Sequence, residues 1–144
     1  MITIKTPKSR QDWETYYDLR YRILREPLGK ERGSERNEGD ETGMHFALYE
    51  DQILVAVARL DRVDETTCQA RFVAVESKLQ GQGYGRKVME ALESEAIQLG
   101  YQKLILHARD YAAVFYEKLG YTLVGPSYKL FDVLQHFEMY KLLA

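Results

Sequence analysis

The residues with the clearest potential for chemistry form a glycine-rich segment, QGQGYG, at positions 80–85. An apolar run, FVAV, precedes it at residues 72–75, and apolar residues then recur at three- and four-residue steps as far as Leu99. This pattern predicts a strand, a loop and a helix. Glycines let backbone N–H groups approach a ligand closely, and a helix N-terminus carries about half a positive charge. The segment is therefore predicted to bind an anion such as a phosphate group.

Two cations follow the glycines. Arg86 and Lys87 lie in the first turn of the predicted helix, where a positive charge opposes the helix dipole by about 0.3 to 1 kcal/mol. A polyanionic ligand bound there would attract both cations and outweigh this cost. The alternative interpretation is a purely structural turn with surface cations. The glycines do not form G-x-G-x-x-G, and no G-K-[ST] follows. The dinucleotide-binding and P-loop interpretations therefore lack the residues that they require.

Length, charge and composition exclude several other classes. A chain of 144 residues suits one domain, 1–144, that buries roughly two thirds of its unfolded surface. The net charge of −2 gives no support for a nucleic-acid or anionic-membrane partner. No apolar run approaches the roughly 20 residues of a membrane span, and the N-terminus lacks the apolar core of a signal peptide. A cytoplasmic protein is expected, and a homodimer is compatible with these features.

Cysteine content limits the redox and metal chemistry. Cys68 is the only cysteine, so neither an intrachain disulfide nor a cysteine-based metal centre is predicted. A single cysteine also fits a reducing compartment. We expect no metal cofactor.

Hydrophobic periodicity predicts the order strand, helix, three strands, helix, strand, helix, two strands. Ser9 is placed to cap the first helix. The predicted strands are 2–6, 44–49, 52–60, 67–75, 101–107, 121–124 and 135–142, and the predicted helices are 12–25, 84–99 and 111–119. Gly125 and Pro126 are expected in a loop after the sixth strand. This order favours an α/β (α+β) fold, with a central mixed sheet flanked by helices, over a doubly wound fold.

Residues 30–43 are charged, contain glycines and lack large apolar side chains. They are predicted to form a mobile loop, either a solvated connection or a wall over a substrate site. Because apolar anchors are missing, rapid backbone hydrogen exchange is expected there without a ligand.

Two motifs together resemble one enzyme family. Q-x-x-G-x-G at residues 80–85 is similar to the [RQ]-x-x-G-x-[GA] pyrophosphate loop of the GNAT family of N-acetyltransferases. AAVFYEKLGY at residues 112–121 resembles that family's A-x-x-F-Y-x-x-x-G-[FY] helix, at the usual distance after the loop. The resemblance covers nearly the whole chain, and the tail with His136 and Met139 resembles the small bacterial branch of ElaA-type and YjcF-type proteins. Gln80 and Gln82 stand where an arginine often occurs, which leaves Arg86 and Lys87 to supply positive charge.

This resemblance implies the GNAT fold and acetyl-CoA as cosubstrate. It implies transfer of the acetyl group to a primary amine of a small molecule or peptide, by direct attack in a ternary complex. The residues expected to bind the cosubstrate are Val73, Ala74, Val75, Gln80, Gly81, Gln82, Gly83, Tyr84, Gly85, Arg86, Lys87 and Ala112. The alternative function is an acyl-CoA-binding sensor module that performs no turnover.

Tyr116 falls on the family's tyrosine, which faces the coenzyme A sulfur as general acid. A phenol with a pKa of about 10 protonates a thiolate with a pKa of about 8.5 only with help from its environment, although a hydrogen bond in the transition state would suffice. The alternative for Tyr116 is a core aromatic. The base remains open: Glu76 follows the strand, histidine titrates near neutral pH, and the amine can also arrive neutral. The candidate histidines are His107, His136 and, with less reason, His45.

Overall fold

The computed structural model describes residues 1–143 and shows a seven-stranded mixed sheet with helices on both faces, which confirms the predicted fold class. The strands are β1 (Ile2–Lys5), β2 (Met44–Glu50), β3 (Ile53–Arg62), β4 (Thr67–Val75), β5 (Lys103–Arg109), β6 (Thr122–Leu130) and β7 (Leu134–Leu142). The helices are α1 (Arg10–Leu24), α2 (Tyr84–Gln98) and α3 (Ala113–Lys118), with single 3₁₀ turns at Glu26–Leu28, Glu38–Asp40, Ser77–Leu79 and Asp110–Ala112. Within the sheet the strand order is β1-β2-β3-β4-β5-β7-β6.

One strand pair, β4 and β5, is parallel and produces a gap in the sheet. β4 and β5 run parallel and pair only over Thr67 to Gln69 against Lys103 to Ile105. Beyond these three residues, β4 continues to Val75 and β5 continues to Arg109 without further pairing to each other. The two strands therefore separate and leave a gap in the sheet.

A β-bulge in β4 lies beside this gap. Val57 pairs with Ala74 and Arg59 pairs with Arg71, so β4 places two residues where β3 places one. Phe72 within the bulge has φ of 53°, a left-handed conformation that a bulky residue seldom adopts. The extra residue shifts the alternation of side chains by one position. As a result Ala70, before the bulge, and Val75, after it, pack against the same core although an odd number of positions separates them.

The core has two layers, one on each face of the sheet. α2 and α3 cover one face with Val88, Met89, Leu92, Ala96 and Tyr116. α1 covers the other face, where Tyr16 and Leu19 pack on Ala47, Val57 and Ala74. β3 is buried from Val55 to Leu60, as its continuous apolar sequence predicts for a strand covered on both faces.

Two predicted boundaries need correction. Ser9 caps α1 as expected and forms a capping box with Asp12, so the helix starts at Arg10 rather than at residue 12. The prediction that the sixth strand stops at residue 124 is wrong, because β6 continues through Gly125 and Pro126 to Leu130. β6 is one of the two edge strands and its register shifts around Pro126. An irregularity in an edge strand tolerates a residue without a backbone N–H. Residues with positive φ, Phe131 and Asp132, then turn the chain into β7.

Residues 30–43 are anchored, contrary to the prediction of a segment without anchors. Asp40 Oδ1 accepts hydrogen bonds from Arg20 Nη1 at 2.8 Å and from Arg59 Nη1 at 2.7 Å. Both arginine side chains are fully buried. Asn37 caps the N-terminus of the 3₁₀ turn at Glu38–Asp40 and forms a capping box with Asp40. The anchors are charged side chains, which a search for apolar residues does not detect.

No helix within residues 1–143 has the length and apolar character needed to cross a membrane.

Candidate active site

The gap between β4 and β5 opens into a cavity of about 650 Å³. Its walls are β4, the glycine segment, β5, α3, the C-terminal end of α1, and the β6 and β7 strands. The cavity brings together most of the residues predicted from the sequence: Val73, Ala74, Val75, Gln80, Gly81, Gly83, Gly85, Arg86, His107, Ala112, Tyr116 and His136. Four others, Glu76, Gln82, Tyr84 and Lys87, do not line it.

The glycine segment presents open space to the cavity. Gly81 and Gly83 have φ of 81° and 90°, and a Cβ built on either one meets no atom of residues 1–143 within 4 Å. Gln80 Nε2 donates to the carbonyl of Val75 at 3.1 Å and so ties the segment to the end of β4. Gly85 has a different role, because a Cβ there would approach Phe115 Cζ to 3.0 Å. Gly81 and Gly83 thus leave room for a ligand, whereas Gly85 leaves room for α3.

The side chains of Tyr84 and Lys87 are engaged elsewhere. The Tyr84 hydroxyl donates to Glu50 Oε1 at 3.4 Å, and Lys87 Nζ lies 5.8 Å from the centre of the Tyr84 ring. Arg86 is therefore the cation of the first turn of α2 that faces the cavity.

Tyr116 lies on α3 with 8% of its surface exposed. Its ring centre is 4.9 Å from that of Phe115 and 5.7 Å from that of Tyr121. Burial raises the pKa of Tyr116 above the ordinary phenol value, which keeps the hydroxyl neutral. This environment favours hydrogen-bond donation and makes complete proton transfer to a thiolate harder, which is the opposite of the help that a general acid needs.

His107 and His136 meet around Tyr128. The His136 ring stacks on the Tyr128 ring at 4.5 Å between centres, and the His107 ring meets the same tyrosine edge-on at 5.4 Å. Burial is the main cause that lowers the pKa of both histidines. The charge of Glu138 partly opposes this effect at His107. Both rings are consequently neutral at pH 7 and able to accept a proton.

The remaining base candidates are held in other contacts. Glu76 Oε2 accepts a hydrogen bond from Arg22 Nη1 at 2.9 Å, and this contact is the main reason that its pKa is lowered. His45 contacts the Tyr16 hydroxyl at 2.9 Å through Nδ1 and the Asp40 carbonyl at 2.9 Å through Nε2. Neither residue lines the cavity. These contacts favour His107 or His136 over Glu76 and His45.

Sequence reasoning missed three arginines at the end of the cavity beside α1. Arg25 follows α1, Arg71 lies in β4 and Arg109 ends β5, and all three line the cavity. They are far apart in the sequence and no motif contains them. Only the β4 bulge and the neighbouring strand ends bring them together.

Residues 1–143 contain no cluster of three or more His, Cys, Asp or Glu side chains that could hold a metal ion.

Comparison with known proteins identifies the family. A family model described as an acetyltransferase (GNAT) domain matches residues 21–143. The chain belongs to the GNAT acetyltransferase family. A protein of Bacillus subtilis (strain 168) that is named as an acetyltransferase is 29% identical over 143 residues, which cover 97% of this chain and 96% of the relative.

Two solved structures share the fold of this GNAT domain. Escherichia coli ElaA has a TM-score of 0.82 at 19% identity, covering 98% of this chain and 99% of its own. A GNAT family acetyltransferase from Elizabethkingia anophelis with acetyl-CoA bound has a TM-score of 0.80 at 17% identity, covering 99% and 98%. These matches agree with the resemblance that the two sequence motifs carry.

Proposed function

We propose that this GNAT domain transfers the acetyl group of acetyl-CoA to a primary amine by direct attack in a ternary complex. The observation that carries the proposal is the cavity between β4 and β5, which has an open glycine segment at one end and Tyr116 in its wall. When bound, the cosubstrate supplies an activated acetyl thioester. Related structures that hold acetyl-CoA or coenzyme A support this choice of cosubstrate.

The residues present fit such a cosubstrate. Beyond Gln69, β4 has no strand partner on its β5 side, so backbone groups of Val73, Ala74 and Val75 can hydrogen-bond an extended arm of a ligand. Gly81 and Gly83 leave space at the start of α2, where backbone N–H groups and Arg86 favour phosphate oxygens. We assign Gln82, Tyr84 and Lys87 to the backbone or outer rim of this binding site, because their side chains do not line the cavity.

Two side-chain functions follow for the reaction. The neutral hydroxyl of Tyr116 donates a hydrogen bond to the departing sulfur, which stabilises its developing negative charge. The neutral ring of His107 or His136 takes a proton from the amine. His107 is the stronger candidate, because no hydrogen bond within residues 1–143 fixes its Nδ1, whereas Nδ1 of His136 lies 3.1 Å from the Leu134 carbonyl oxygen.

A sensor module that binds acyl-CoA without turnover is the alternative function. Thermal unfolding with acetyl-CoA or with acetyl-pantetheine, combined with a thiol-release assay on an amine library, distinguishes the two. We expect acetyl-CoA to raise the Tm more than acetyl-pantetheine, which lacks the phosphates, and we expect thiol release with at least one amine. Tight acetyl-CoA binding without thiol release for any amine would favour the sensor. Equal Tm shifts from both compounds would remove the phosphate-binding function of the glycine segment.

A further inference from the structure

The charged side chains that line the cavity all have the same sign. Arg25, Arg71, Arg86, Arg109 and Lys118 line it, and no Asp or Glu of residues 1–143 does so. Arg86 belongs to the phosphate-binding end described above. The arginine cluster, which we define as Arg25, Arg71 and Arg109, has no function in the reaction as proposed so far.

Arg25 is the most buried member, with 9% of its surface exposed. Its Nε donates to the Ser34 carbonyl at 3.0 Å and its Nη1 donates to the Leu24 carbonyl at 3.3 Å. Its Nη2 donates to no atom of residues 1–143. Burial lowers the pKa of Arg25, and the positive charge of Arg109 lowers it further. A guanidinium that is buried beside other cations is unfavourable unless an anion joins it.

The other two members also lack an acidic partner. Arg109 donates from Nη1 to the Tyr111 hydroxyl at 3.0 Å and from Nη2 to the Leu24 carbonyl at 2.8 Å. Arg71 donates no hydrogen bond to residues 1–143, and its guanidinium carbon lies 5.4 Å from the centre of the Phe72 ring. None of the ion pairs within residues 1–143 involves a member of the cluster. Three positive charges therefore remain uncompensated at one end of the cavity.

Two neighbouring buried arginines, Arg20 and Arg59, are paired with carboxylates, unlike the members of the cluster. The guanidinium carbons of Arg20 and Arg59 lie 4.2 and 4.9 Å from the centre of the same Phe72 ring. Arg20 pairs with Asp40, and Arg59 pairs with both Asp40 and Asp61. Around one aromatic ring, the two arginines away from the cavity are thus paired with carboxylates, whereas Arg25 and Arg71 are not.

The cluster lies apart from the phosphate-binding end. Arg71 precedes Val75, the last residue of β4 before the glycine segment, by four residues, which corresponds to about 13 Å along a strand. Arg25 directly follows α1. The backbone carbonyl of the preceding residue, Leu24, accepts a hydrogen bond from Arg109 at the end of β5. His107 and His136 line the same region of the cavity, so the cluster surrounds the place from which an amine would approach.

We infer that the acceptor is a small amine that carries an anionic group, a carboxylate or a phosphate, which the arginine cluster binds. This inference rests on the proposed acetyltransferase function and specifies its substrate class. A planar guanidinium forms two parallel hydrogen bonds to either kind of anion. A polycationic acceptor such as a polyamine would meet three like charges instead. Glu138 lies on β7 opposite His107, and its charge acts on that ring, but it forms no ion pair with the cluster within residues 1–143.

The test compares acceptors that differ only in the anion. ω-Amino carboxylates are measured against alkylamines of the same length, phosphoethanolamine against ethanolamine, and spermidine as the polycation, with kcat/KM expressed per neutral amine. We expect the anionic member of at least one pair to be favoured about ten- to hundredfold, the range of a hydrogen bond between charged groups. The pair that responds identifies carboxylate or phosphate as the anion. Equal or better use of alkylamines or spermidine would overturn the inference and leave the acetyltransferase function standing.

Two variants locate the effect. Arg71→Gln keeps a polar side chain and breaks no hydrogen bond within residues 1–143, so we expect it to remove most of the preference for the anionic acceptor with little change in the KM for acetyl-CoA. Arg86→Gln is the matched control, and it should raise the KM for acetyl-CoA while the acceptor preference remains. If Arg71→Gln raises the KM for acetyl-CoA instead, the cluster binds the cosubstrate and the inference is wrong. If acetyl-CoA binds but no acceptor of either kind releases thiol, the proposed function fails and the inference fails with it.

Discussion

The two ends of the cavity are built in different ways. At the end where we propose that acetyl-CoA binds, the proposed contacts are mainly backbone atoms and one cation, Arg86, within the consecutive residues 73–86. At the end where we propose that the acceptor binds, the proposed contacts are side chains from β4, β5, β7 and the residue after α1, separated by as many as 111 positions between Arg25 and His136. A backbone site depends on local conformation, whereas a side-chain site depends on how distant elements pack. The first can therefore be shared across a family while the second changes with the acceptor.

The supports of the two ends differ as well. Gly81 and Gly83 face open space, and the glycine segment is tied to β4 by one hydrogen bond from Gln80. α1, which Arg25 directly follows, is held to residues 30–43 by an ion pair between the fully buried side chain of Arg20 and Asp40, whose side chain is 9% exposed. Breaking a buried ion pair strongly lowers stability, because loss of one partner leaves a buried charge without compensation. The acceptor end should consequently be the more sensitive of the two to single substitutions.

The largest expected effect is at Tyr116, which lines the cavity. Tyr116→Phe removes the hydroxyl, keeps the ring packing, and should lower turnover by roughly 10²- to 10⁴-fold with little change in acetyl-CoA affinity. Tyr121→Phe is the matched control, because Tyr121 is also buried and its ring centre lies 5.7 Å from that of Tyr116. Its hydroxyl donates to Glu93 at 2.6 Å, and Tyr121 lies outside the cavity lining. The control variant should cost stability by about 1 to 3 kcal/mol without a comparable loss of turnover.

Both variants need an unfolding measurement, since a destabilised protein mimics an inactive one. A folded Tyr116→Phe protein that binds acetyl-CoA and retains full turnover would show that Tyr116 is only a core aromatic.

The next effect tests the support of the acceptor end. Asp40→Ala leaves the buried guanidinium groups of Arg20 and Arg59 without their shared partner and should lower the free energy of unfolding by about 3 to 5 kcal/mol. Asp18→Ala also removes a carboxylate that bridges two arginines, Arg22 and Arg32, but its side chain is 39% exposed. We expect a loss of less than about 1 kcal/mol there. Similar losses in urea titrations of the two variants would remove the distinction between buried and exposed anchors.

Sequence patterns predict features whose causes are local. The glycine segment, the helix that carries Tyr116 and the Ser9 cap each depend on a few consecutive residues, and the structure places all three as expected. Features that depend on distant partners escaped prediction. The anchoring of residues 30–43 requires Arg20 and Arg59 to meet Asp40, and the continuation of β6 past Pro126 requires the pairing with β7. The arginine cluster likewise exists only after the β4 bulge has formed.

The third effect tests the cosubstrate end. Gly83→Val should abolish the stabilisation by acetyl-CoA, which amounts to about 2.7 kcal/mol at a ligand concentration of 100 Kd, because the side chain occupies the open space and restricts the loop. Gly100→Val is the matched control at the other end of α2. Both glycines have φ of 90° and neither Cβ would meet an atom of residues 1–143 within 4 Å, so the backbone strain is similar. Only the Gly83 variant should lose the Tm shift, and equal shifts in both variants would contradict phosphate binding at the segment.

The smallest expected effect is a change of slope in the pH profile of log kcat/KM. This measurement tests whether a side chain at the proposed acceptor end acts as a base. With an amine of known pKa, log kcat/KM rises with unit slope as the amine loses its proton. Because burial lowers the pKa of His107 below its ordinary value of about 6.5, the ring stays neutral at pH 7, and a second unit of slope should appear only below pH 6.5. His107→Gln should lose that second slope. A wild-type profile with unit slope throughout would instead mean that the amine arrives neutral and that no side chain takes its proton.

His45→Gln is the control for this profile. Stability measurements separate an effect of histidine protonation on the rate from its effect on folding. Burial lowers the pKa of His45 as well, but His45 lies outside the cavity lining, so its loss should leave the shape of the profile unchanged. For both histidines the unfolded state binds more protons than the folded state below pH 6.5, so unfolding free energy falls as the pH drops from 6.5 through the folded pKa. A base at His107 therefore predicts that the same acidic window lowers both the rate and the stability, and that His107→Gln weakens both dependences while His45→Gln weakens only the second.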